Sequence, residues 1–241
     1  MSGPADDVEA ARRAGRQRFL GIDLLVGPGV LVPRPETELL ARTAIEELRA
    51  VASQRPIRVL DVGTGSGNLA CAIAVHVPAA TVLACDISLA AVTLARRNAL
   101  QAGVGARVEV VQGDLFAPLD PDHTENLLDA IVCNPPYIST RRLQTDRAEL
   151  LRHEPLEAFD GGPYGLSVHQ RLAREAATHL RPGGLLLVEV GAGQDRQVML
   201  LLERAGHWEA PEVRHDGGGV PRVVLVRRKA GRIRGPEDAR A

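Results

Sequence analysis

A rigid pair of hydrogen-bond acceptors and a flat ring stand together in the segment Asn134-Pro135-Pro136-Tyr137, directly after an apolar run at residues 127–133. Proline fixes φ and donates no backbone hydrogen bond, so the two prolines keep the preceding residue extended and make the loop stiff. The Asn134 side-chain oxygen and the Pro135 carbonyl can each accept a hydrogen bond from an N–H group, and Tyr137 offers a flat face. The segment therefore suits the capture of a planar nitrogen.

A planar amide or aromatic amine is a poor nucleophile because its lone pair is delocalised. It reacts when it is held in line with an electrophile and when acceptors stabilise its developing positive charge. Two hydrogen bonds that strengthen in the transition state, each worth roughly 1–3 kcal/mol, give on the order of ten- to several-thousand-fold in rate. No titrating base is required, which agrees with the lack of a neighbouring His or Glu. The alternative is a tight turn with no chemical role.

A glycine-rich segment, DVGTGSG at residues 61–67, lies between a predicted strand and the helix that follows it. Glycines there allow a sharp turn and a close approach of the backbone to a ligand. Nicotinamide and flavin sites favour GxGxxG, whereas the position three after Gly65 is Asn68. The pattern instead resembles motif I of class I methyltransferases, which bind S-adenosylmethionine. The segment contains five of the predicted cofactor-binding residues: Asp61, Gly63, Thr64, Gly65 and Gly67.

Acidic residues follow the next two predicted strands. Asp86 follows the glycine-rich segment at about the distance, approximately 20 residues, at which related folds place a ribose-binding acid. Ile87 comes directly after it. Asp114 could meet an adenine amino group and Leu115 could pack on its ring. In the alternative interpretation, Asp86 helps to cap the next helix and Asp114 belongs to a turn.

Hydrophobic periodicity predicts the elements that position these residues. A short charged helix is predicted at 5–18, then a β-hairpin that turns at Gly27-Pro28-Gly29, and a helix from Pro35 to before Pro56. Short Val-, Leu- and Ile-rich runs predict buried strands at 57–62, 81–86, 107–111, 127–133 and 184–190. Amphipathic segments near 67–76, 88–102, 164–180 and 193–205 fall between them, except that residues 112–126 show no clear helix.

This alternation predicts an α/β fold with a mostly parallel, seven-stranded sheet and helices on both faces. The resemblance to motif I implies that this fold is of the Rossmann-like class I methyltransferase type. Two late strands, near 207–214 and 220–227, should close the sheet as an antiparallel hairpin. We expect residues 1–33 to form a short N-terminal helix and hairpin, 34–228 the methyltransferase domain, and 229–241 a disordered tail.

Two further segments make the resemblance more specific. "VLVPRPETELL" from Val30 and "HEPLEAFDGGPYGL" from His153, together with the glycine-rich segment and "NPPY", resemble the HemK/PrmC family, which methylates a glutamine amide in class 1 peptide release factors. The resemblance runs from about Phe19 to Val226. Without it, Pro35 and Glu36 would be read as a helix start, and Glu154 with Asp160-Gly161-Gly162 as a loop.

The resemblance assigns roles to residues of this chain. It implies cofactor contacts at Gly63, Gly65, Asp86 and Asp114. It implies a substrate site made by Arg34, Pro35, Glu36, Asn134, Pro135, Pro136 and Tyr137, in which Asn134, Pro135 and Tyr137 are catalytic and Asn134 also lies against the cofactor.

The front of the chain departs from this family pattern. Family members usually carry a helical N-terminal domain of several tens of residues, whereas 18 residues precede Phe19 here. Either the hairpin and the loop at 140–165 dock the release factor, or the catalytic domain acts on a smaller substrate.

Composition limits the remaining possibilities. The net charge of −1 and 2% aromatic residues argue against a nucleic-acid partner, and no apolar run approaches the length of a membrane span. Cys71, Cys85 and Cys133 lie in apolar runs and are expected to be buried thiols, while the histidine spacing does not suggest a metal site. A cytoplasmic location is expected.

The leading hypothesis is methylation of a glutamine amide in the Gly-Gly-Gln loop of a release factor. An N-methyltransferase for a small molecule, for instance in secondary metabolism, is the alternative among enzymes. DNA adenine methylation comes third, because it needs a basic cleft that the charge balance does not suggest. A non-catalytic module that binds the cofactor or a partner is the alternative from another class.

Overall fold

A computed structural model describes residues 4–52, 55–119, 127–140, 143, 155 and 158–231. The described helices are α1 (Pro4–Ala14), α2 (Thr37–Ala52), α3 (Asn68–His76), α4 (Leu89–Gln101), α5 (Ser167–His179) and α6 (Asp195–Ala205). The described strands are β1 (Arg16–Phe19), β2 (Ile22–Leu25), β3 (Ile57–Val62), β4 (Ala80–Asp86), β5 (Val108–Gln112), β6 (Leu128–Cys133), β7 (Leu180–Glu189), β8 (Glu212–His215) and β9 (Pro221–Arg227).

Seven of these strands form one sheet in the order β5-β4-β3-β6-β7-β9-β8. The strands β3 to β7 run parallel, and β9 and β8 are antiparallel additions at one side. Because β4 lies on one side of β3 and β6 on the other, the chain reverses its direction of winding between β3 and β6. Open α/β sheets bind ligands at such a switch point, beyond the carboxyl ends of the strands.

Apolar side chains cover both faces of the sheet. In β6 every residue is buried, and Ala130 and Val132 contact the cluster under α2, α3 and α4, while Ile131 and Cys133 contact the cluster under α5 and α6. This alternation follows from the two-residue period of a strand, and burial on both faces explains the continuous apolar runs in the sequence. The predicted fold class is confirmed.

The hairpin exists, but the predicted position of its turn is wrong. β1 pairs with β2 across Leu20-Gly21, and residues 27–29 lie beyond the second strand. Leu20 and Gly21 have positive φ angles of 46° and 83°. Two such residues make the tight turn whose twist matches a β-hairpin, and Leu-Gly is a weaker signal for it than Asn-Gly. The Gly-Pro-Gly sequence was therefore the more visible turn signal, but at the wrong place.

Most other predicted boundaries agree closely with the structure. The predicted central strands match within one residue, except that β7 begins at Leu180 instead of residue 184. α5 begins at Ser167 and not at 164, since Gly165 has a positive φ of 72°. β8 begins at Glu212 and not at 207, and Trp208 forms only an isolated bridge with Arg228. The helix predicted at 5–18 ends at Ala14, because β1 follows at once.

Some predictions fall partly on undescribed residues. Residues 112–119 contain turns but no helix, while 120–126 lie outside the described residues. Of the tail predicted at 229–241, residues 232–241 also lie outside them. His153 and Glu154 of the family-like segment also lie outside them. Cys71, Cys85 and Cys133 are free and buried, which confirms that prediction. None of the described helices has the length and apolarity that a membrane crossing requires.

Candidate active site

Strand register brings the candidate residues into one row. Cys85 of β4, Val62 of β3, Cys133 of β6 and Val188 of β7 are partners across four adjacent parallel strands. The residues that follow these four partners form a row at the carboxyl ends of the strands: Asp86, Gly63, Asn134 and Glu189. The predicted cofactor acid thus lies on one side of the glycine-rich segment and the predicted catalytic amide on the other. Glu189, which the sequence interpretation missed, stands next to the amide.

The glycine-rich segment is held by the buried side chain of Asp61. Its Oδ2 accepts hydrogen bonds from Thr64 Oγ1 at 2.6 Å and from the Ala70 backbone N–H at 3.1 Å. Its Oδ1 is buried and has no hydrogen-bond partner within the described part of the chain. Burial raises the pKa of Asp61 to about 7, although those two hydrogen bonds oppose the shift. One acceptor atom of this carboxyl group therefore remains available.

The three glycines of the segment have positive φ angles of 66°, 56° and 80° at Gly63, Gly65 and Gly67, which favour glycine. A Cβ on Gly67 would lie 3.1 Å from the Cβ of Ala95 in α4, so this position is small because a helix packs on it. A Cβ on Gly63 or Gly65 would meet nothing within 4 Å. Those two positions therefore border open space, as a bound ligand would need.

Asp86 contacts both the start of α4 and the glycine-rich segment. Its Oδ1 accepts a hydrogen bond from Ser88 N at 2.9 Å, and its Oδ2 accepts one from Gly65 N at 2.9 Å. Ser88 in turn caps α4 by accepting from Ala91 N at 3.4 Å. Burial raises the pKa of Asp86. A carboxylate offers about four acceptor positions, so two bonds leave capacity for hydroxyl groups of a ligand.

Asp114 has a partner that the sequence did not suggest. Nη1 of Arg171, on α5, donates to both carboxylate oxygens of Asp114 at 3.0 and 2.9 Å. Leu115 is buried with a positive φ of 49°, and its carbonyl accepts a hydrogen bond from Cys85 Sγ. Ile87 is 57% exposed, which is unusual for an isoleucine and leaves an apolar surface beside Asp86.

Asn134 is half-buried, and its side-chain Nδ2 donates to Thr37 Oγ1 at 3.1 Å. Pro135 is buried beside it, and Pro136 and Tyr137 are half-buried. The Tyr137 hydroxyl donates to Glu189 Oε1 at 3.4 Å, and burial raises the Tyr137 pKa well above its usual value. Because Nδ2 is engaged by Thr37, the amide oxygen of Asn134 is the atom left for another donor.

The segment after Tyr137 is clamped by the Asp160-Gly161-Gly162 sequence. Ile138 N donates to Phe159 O at 3.0 Å and Gly161 N donates to Ile138 O at 2.9 Å, so the two segments form a short parallel bridge. A Cβ on Gly161 would lie 2.6 Å from the Pro136 carbonyl oxygen. The glycine therefore allows two backbones to meet, which gives this part of the family-like motif a structural reason.

Gln194 closes the other side of the loop. Its Nε2 donates to the Tyr137 carbonyl at 2.9 Å and to the Gly165 carbonyl at 3.3 Å, while its Oε1 accepts from Gly191 N at 3.0 Å. A Cβ on Gly165 would lie 2.3 Å from the Tyr137 carbonyl oxygen. The loop is held from several directions at once, which agrees with the stiffness inferred from its prolines.

Arg34, Pro35 and Glu36 form the turn before α2, in which the Arg34 carbonyl accepts from Thr37 N at 3.1 Å. Pro35 is exposed and the other two are half-buried. The Glu36 charge contributes to the raised pKa of both Tyr137 and Glu189, so this carboxylate lies close to the row. The turn is therefore brought to the same site as the segment at 134–137.

Besides Arg171, three residues of the site were missed: Thr37, Glu189 and Gln194. Glu189 carried a signal, since it is a carboxylate at the end of the apolar run LLLVE at residues 185–189 and buried charges in strands need a reason. Thr37 and Gln194 carried none, because their contacts with residues 134 and 137 depend on the fold. No group of three His, Cys, Asp or Glu suited to a metal ion occurs among the residues that the structure describes.

Comparison with known proteins gives the family. The model named "Methyltransferase small domain" matches residues 37–158. A release factor glutamine methyltransferase of Moorella thermoacetica is 42% identical over 215 residues, covering 89% of this chain and 73% of that protein. One of Gloeobacter violaceus is 39% identical over 212 residues, covering 88% and 72%.

The chain belongs to the release factor glutamine methyltransferase family. It is an S-adenosylmethionine-dependent methyltransferase, and the resemblance seen in its motifs is confirmed. Solved structures support the fold of this family member. A methyltransferase from Pyrococcus furiosus has a TM-score of 0.63 at 19% identity, covering 93% of this chain and 96% of that one. The N-terminal domain of human METTL16, in complex with SAH, has a TM-score of 0.60 at 16% identity, covering 92% and 80%.

Proposed function

We propose that this enzyme transfers a methyl group to the side-chain amide nitrogen of a glutamine, in the Gly-Gly-Gln loop of a class 1 peptide release factor. The names of its relatives support this substrate. The observation that carries the chemistry is the row that sets Asn134 beside the open glycine-rich segment. A release-factor substrate also implies that the enzyme works in the cytoplasm.

The residues beside β3 and β4 suit S-adenosylmethionine, which supplies an electrophilic methyl group when bound. Gly63 and Gly65 border open space, so the backbone can approach the ligand. Asp86 retains acceptor capacity for the two ribose hydroxyls, and Asp61 holds a buried oxygen without a partner among the described residues. Thr64 and Gly67 act indirectly, by bracing Asp61 and by letting α4 pack.

The adenine would lie towards β5. The exposed Ile87 offers one apolar face, and the Asp114 carboxylate is the acceptor for the adenine amino group. Since Arg171 already donates to that carboxylate, Asp114 is held in place before the ligand arrives. Leu115 is buried behind it and contributes through packing.

The substrate amide would be held on the β6 side. The Asn134 Oδ1 and the Pro135 carbonyl accept its two N–H hydrogens, and Tyr137 packs on its plane. These acceptors matter most when positive charge develops on the nitrogen, so they stabilise the transition state more than the bound substrate. Because Gln194 and Asp160-Gly161 hold the loop, little reorganisation is needed at that moment.

The rim suits a protein chain that reaches the row from outside. Arg34, Pro35 and Glu36 immediately precede Thr37, which contacts Asn134, and Tyr164, which is 82% exposed, follows the Asp160-Gly161-Gly162 clamp. An extended glycine-rich loop is narrow enough to bring one long side chain to this rim.

Labelled methyl transfer tests the proposal. The enzyme is incubated with labelled S-adenosylmethionine and a purified class 1 release factor, either unchanged or with the glutamine of its Gly-Gly-Gln loop replaced by alanine. We expect labelled methyl groups in the unchanged factor. Incorporation into the factor with alanine in place of this glutamine should be lower by roughly 95% or more. Equal labelling of both factors, or none of either while S-adenosylmethionine still binds, would rule out this substrate.

A further inference from the structure

A buried amide ties the N-terminal hairpin to the rest of the fold. Asn98 lies in the last turn of α4 and its exposed fraction is 0%. None of the cofactor or substrate contacts proposed above uses it. A buried polar side chain is costly unless hydrogen bonds satisfy it, so the partners of Asn98 indicate what it does.

Two of its hydrogen bonds go to the hairpin. Asn98 Oδ1 accepts from the Leu25 backbone N–H at 2.7 Å, and Asn98 Nδ2 donates to the Leu25 carbonyl at 3.1 Å. Leu25 is the last residue of β2, which pairs with β1 along its other edge. The Asn98 amide therefore takes the place of a neighbouring strand at this end of β2.

A third hydrogen bond goes to the glycine-rich segment. Asn98 Nδ2 also donates to the Ser66 carbonyl at 2.8 Å. Ser66 lies between Gly65 and Gly67 and is only 2% exposed, so its carbonyl needs a partner within the protein. One side chain thus connects β2 to the segment expected to hold the cofactor.

The chemistry of the partners fixes the orientation of the Asn98 amide. A backbone N–H can only donate, and a backbone carbonyl can only accept. An amide turned the other way would present its NH₂ group to the Leu25 N–H and its oxygen to two carbonyl oxygens. Since one orientation serves all three bonds, the position of Leu25 bears directly on the position of Ser66.

Other contacts of α4 strengthen the same connection. Gln101, one turn after Asn98, donates from Nε2 to the Asp23 carbonyl of β2 at 2.6 Å. Towards the glycine-rich segment, a Cβ on Gly67 would lie 3.1 Å from the Cβ of Ala95. The helix therefore contacts both the hairpin and the segment, and Asn98 forms hydrogen bonds with both.

We propose that Asn98 is a positioning residue that holds the glycine-rich segment in its cofactor-binding form by fixing it to the N-terminal hairpin. The hairpin is then part of the cofactor site. By linkage, cofactor binding stabilises the hairpin, and anything that stabilises the hairpin strengthens cofactor binding by the same factor. The inference rests on the glycine-rich segment as the cofactor site and does not depend on which substrate is methylated.

Hydrogen exchange in the wild-type protein tests this linkage without a substrate. NMR follows the Leu25 amide, which donates to Asn98, and the Val26 amide, which donates to the Gly15 carbonyl within the hairpin region. Saturating S-adenosylmethionine should slow both by about threefold or more. The Asp216 amide, which donates to the Val220 carbonyl between β8 and β9, should change by less than about twofold. Equal slowing of all three amides, or none at Leu25 and Val26, would overturn the proposal.

A substitution tests the side chain itself. Asn98→Ala removes the three hydrogen bonds and should raise the Kd for S-adenosylmethionine about tenfold by calorimetry. The kcat at saturating cofactor should stay within about threefold, because the residues at 134–137 are not altered. Gln101→Ala is the matched control, since it removes a hydrogen bond between the same helix and the same hairpin but leaves Ser66 held. Its Kd should stay within about twofold of wild type.

The two measurements together separate positioning from general support of the fold. In Asn98→Ala, S-adenosylmethionine should no longer slow the Val26 amide more than the Asp216 amide. A Kd of Asn98→Ala within about twofold of wild type, or affinity and kcat lost by the same factor, would contradict the positioning role. If Asn98→Ala does not fold, the wild-type exchange decides. Failure of release-factor labelling, with these results as expected, would remove the proposed substrate and leave this inference standing.

Discussion

Gly165 allows a sharp test of how the segment at 134–137 is held. Replacing it with alanine would place a Cβ 2.3 Å from the Tyr137 carbonyl oxygen and 2.8 Å from Gln194 Nε2, at a φ of +72°. A left-handed conformation costs a non-glycine residue roughly 1–2 kcal/mol. Overpacking against backbone adds roughly 1–3 kcal/mol, since the carbonyl cannot move without its loop. The expected loss in free energy of unfolding is therefore about 2–5 kcal/mol.

Gly206 provides the control, because it has a similar φ of +77° and an added Cβ would meet nothing within 4 Å. Gly206→Ala should then cost only the conformational part, roughly 1–2 kcal/mol. Urea unfolding of both variants at one pH measures the difference, and turnover of Gly165→Ala should fall while cofactor affinity changes little, because the displaced atom is the Tyr137 carbonyl. Equal destabilisation by the two substitutions would refute the view that Gly165 is required by close contact with this loop.

Three further predictions concern the carboxyl groups of the site. Asp86→Asn should weaken S-adenosylmethionine binding at least tenfold by calorimetry, because it removes roughly one charge-assisted hydrogen bond. Glu109→Gln, at an exposed position of β5, is the control. A Kd of Asp86→Asn within twofold of the wild-type value would contradict the ribose role. Burial raises the pKa of Asp61 and Glu189 to about 7, so the folded chain keeps protons that the unfolded chain releases near pH 4, and this stabilising contribution is lost as pH rises through about 7. The free energy of unfolding should rise as the pH falls from about 8 to about 5, with a shallower slope in Asp61→Asn than in the wild type, and parallel slopes in these two proteins would contradict this. Asp114→Asn should weaken cofactor binding about three- to tenfold without changing kcat at saturation, and an effect on kcat alone would move Asp114 away from the adenine.

The alternation of strands and helices was readable from sequence because each buried parallel strand is a continuous apolar run. β6 is the clearest example, since all six of its residues are buried. The same logic located the ends of β3, β4 and β6, where the candidate residues stand. The β1–β2 hairpin was misplaced because Leu20 adopts a positive φ that its residue type does not announce.

Within the site, sequence identified the residues that carry recognisable motifs but not those that orient them. Thr37 meets Asn134 across 97 positions of the chain, and Arg171 meets Asp114 across 57. Such contacts depend on which strands become neighbours, and local pattern contains no information about that. Gly67 has a further structural reason that the motif did not show, because a Cβ there would lie 3.1 Å from the Cβ of Ala95 in α4.

We propose that the Asn134 oxygen accepts a hydrogen bond from the amide nitrogen as this nitrogen reacts. The most direct test measures single-turnover methyl transfer and S-adenosylmethionine affinity in the same preparation of Asn134→Ala. Loss of an acceptor that acts mainly in the transition state predicts a rate lowered by about 100-fold or more, with cofactor Kd within about threefold of wild type. A rate and an affinity lost by the same factor, or a rate that survives the substitution, would contradict it.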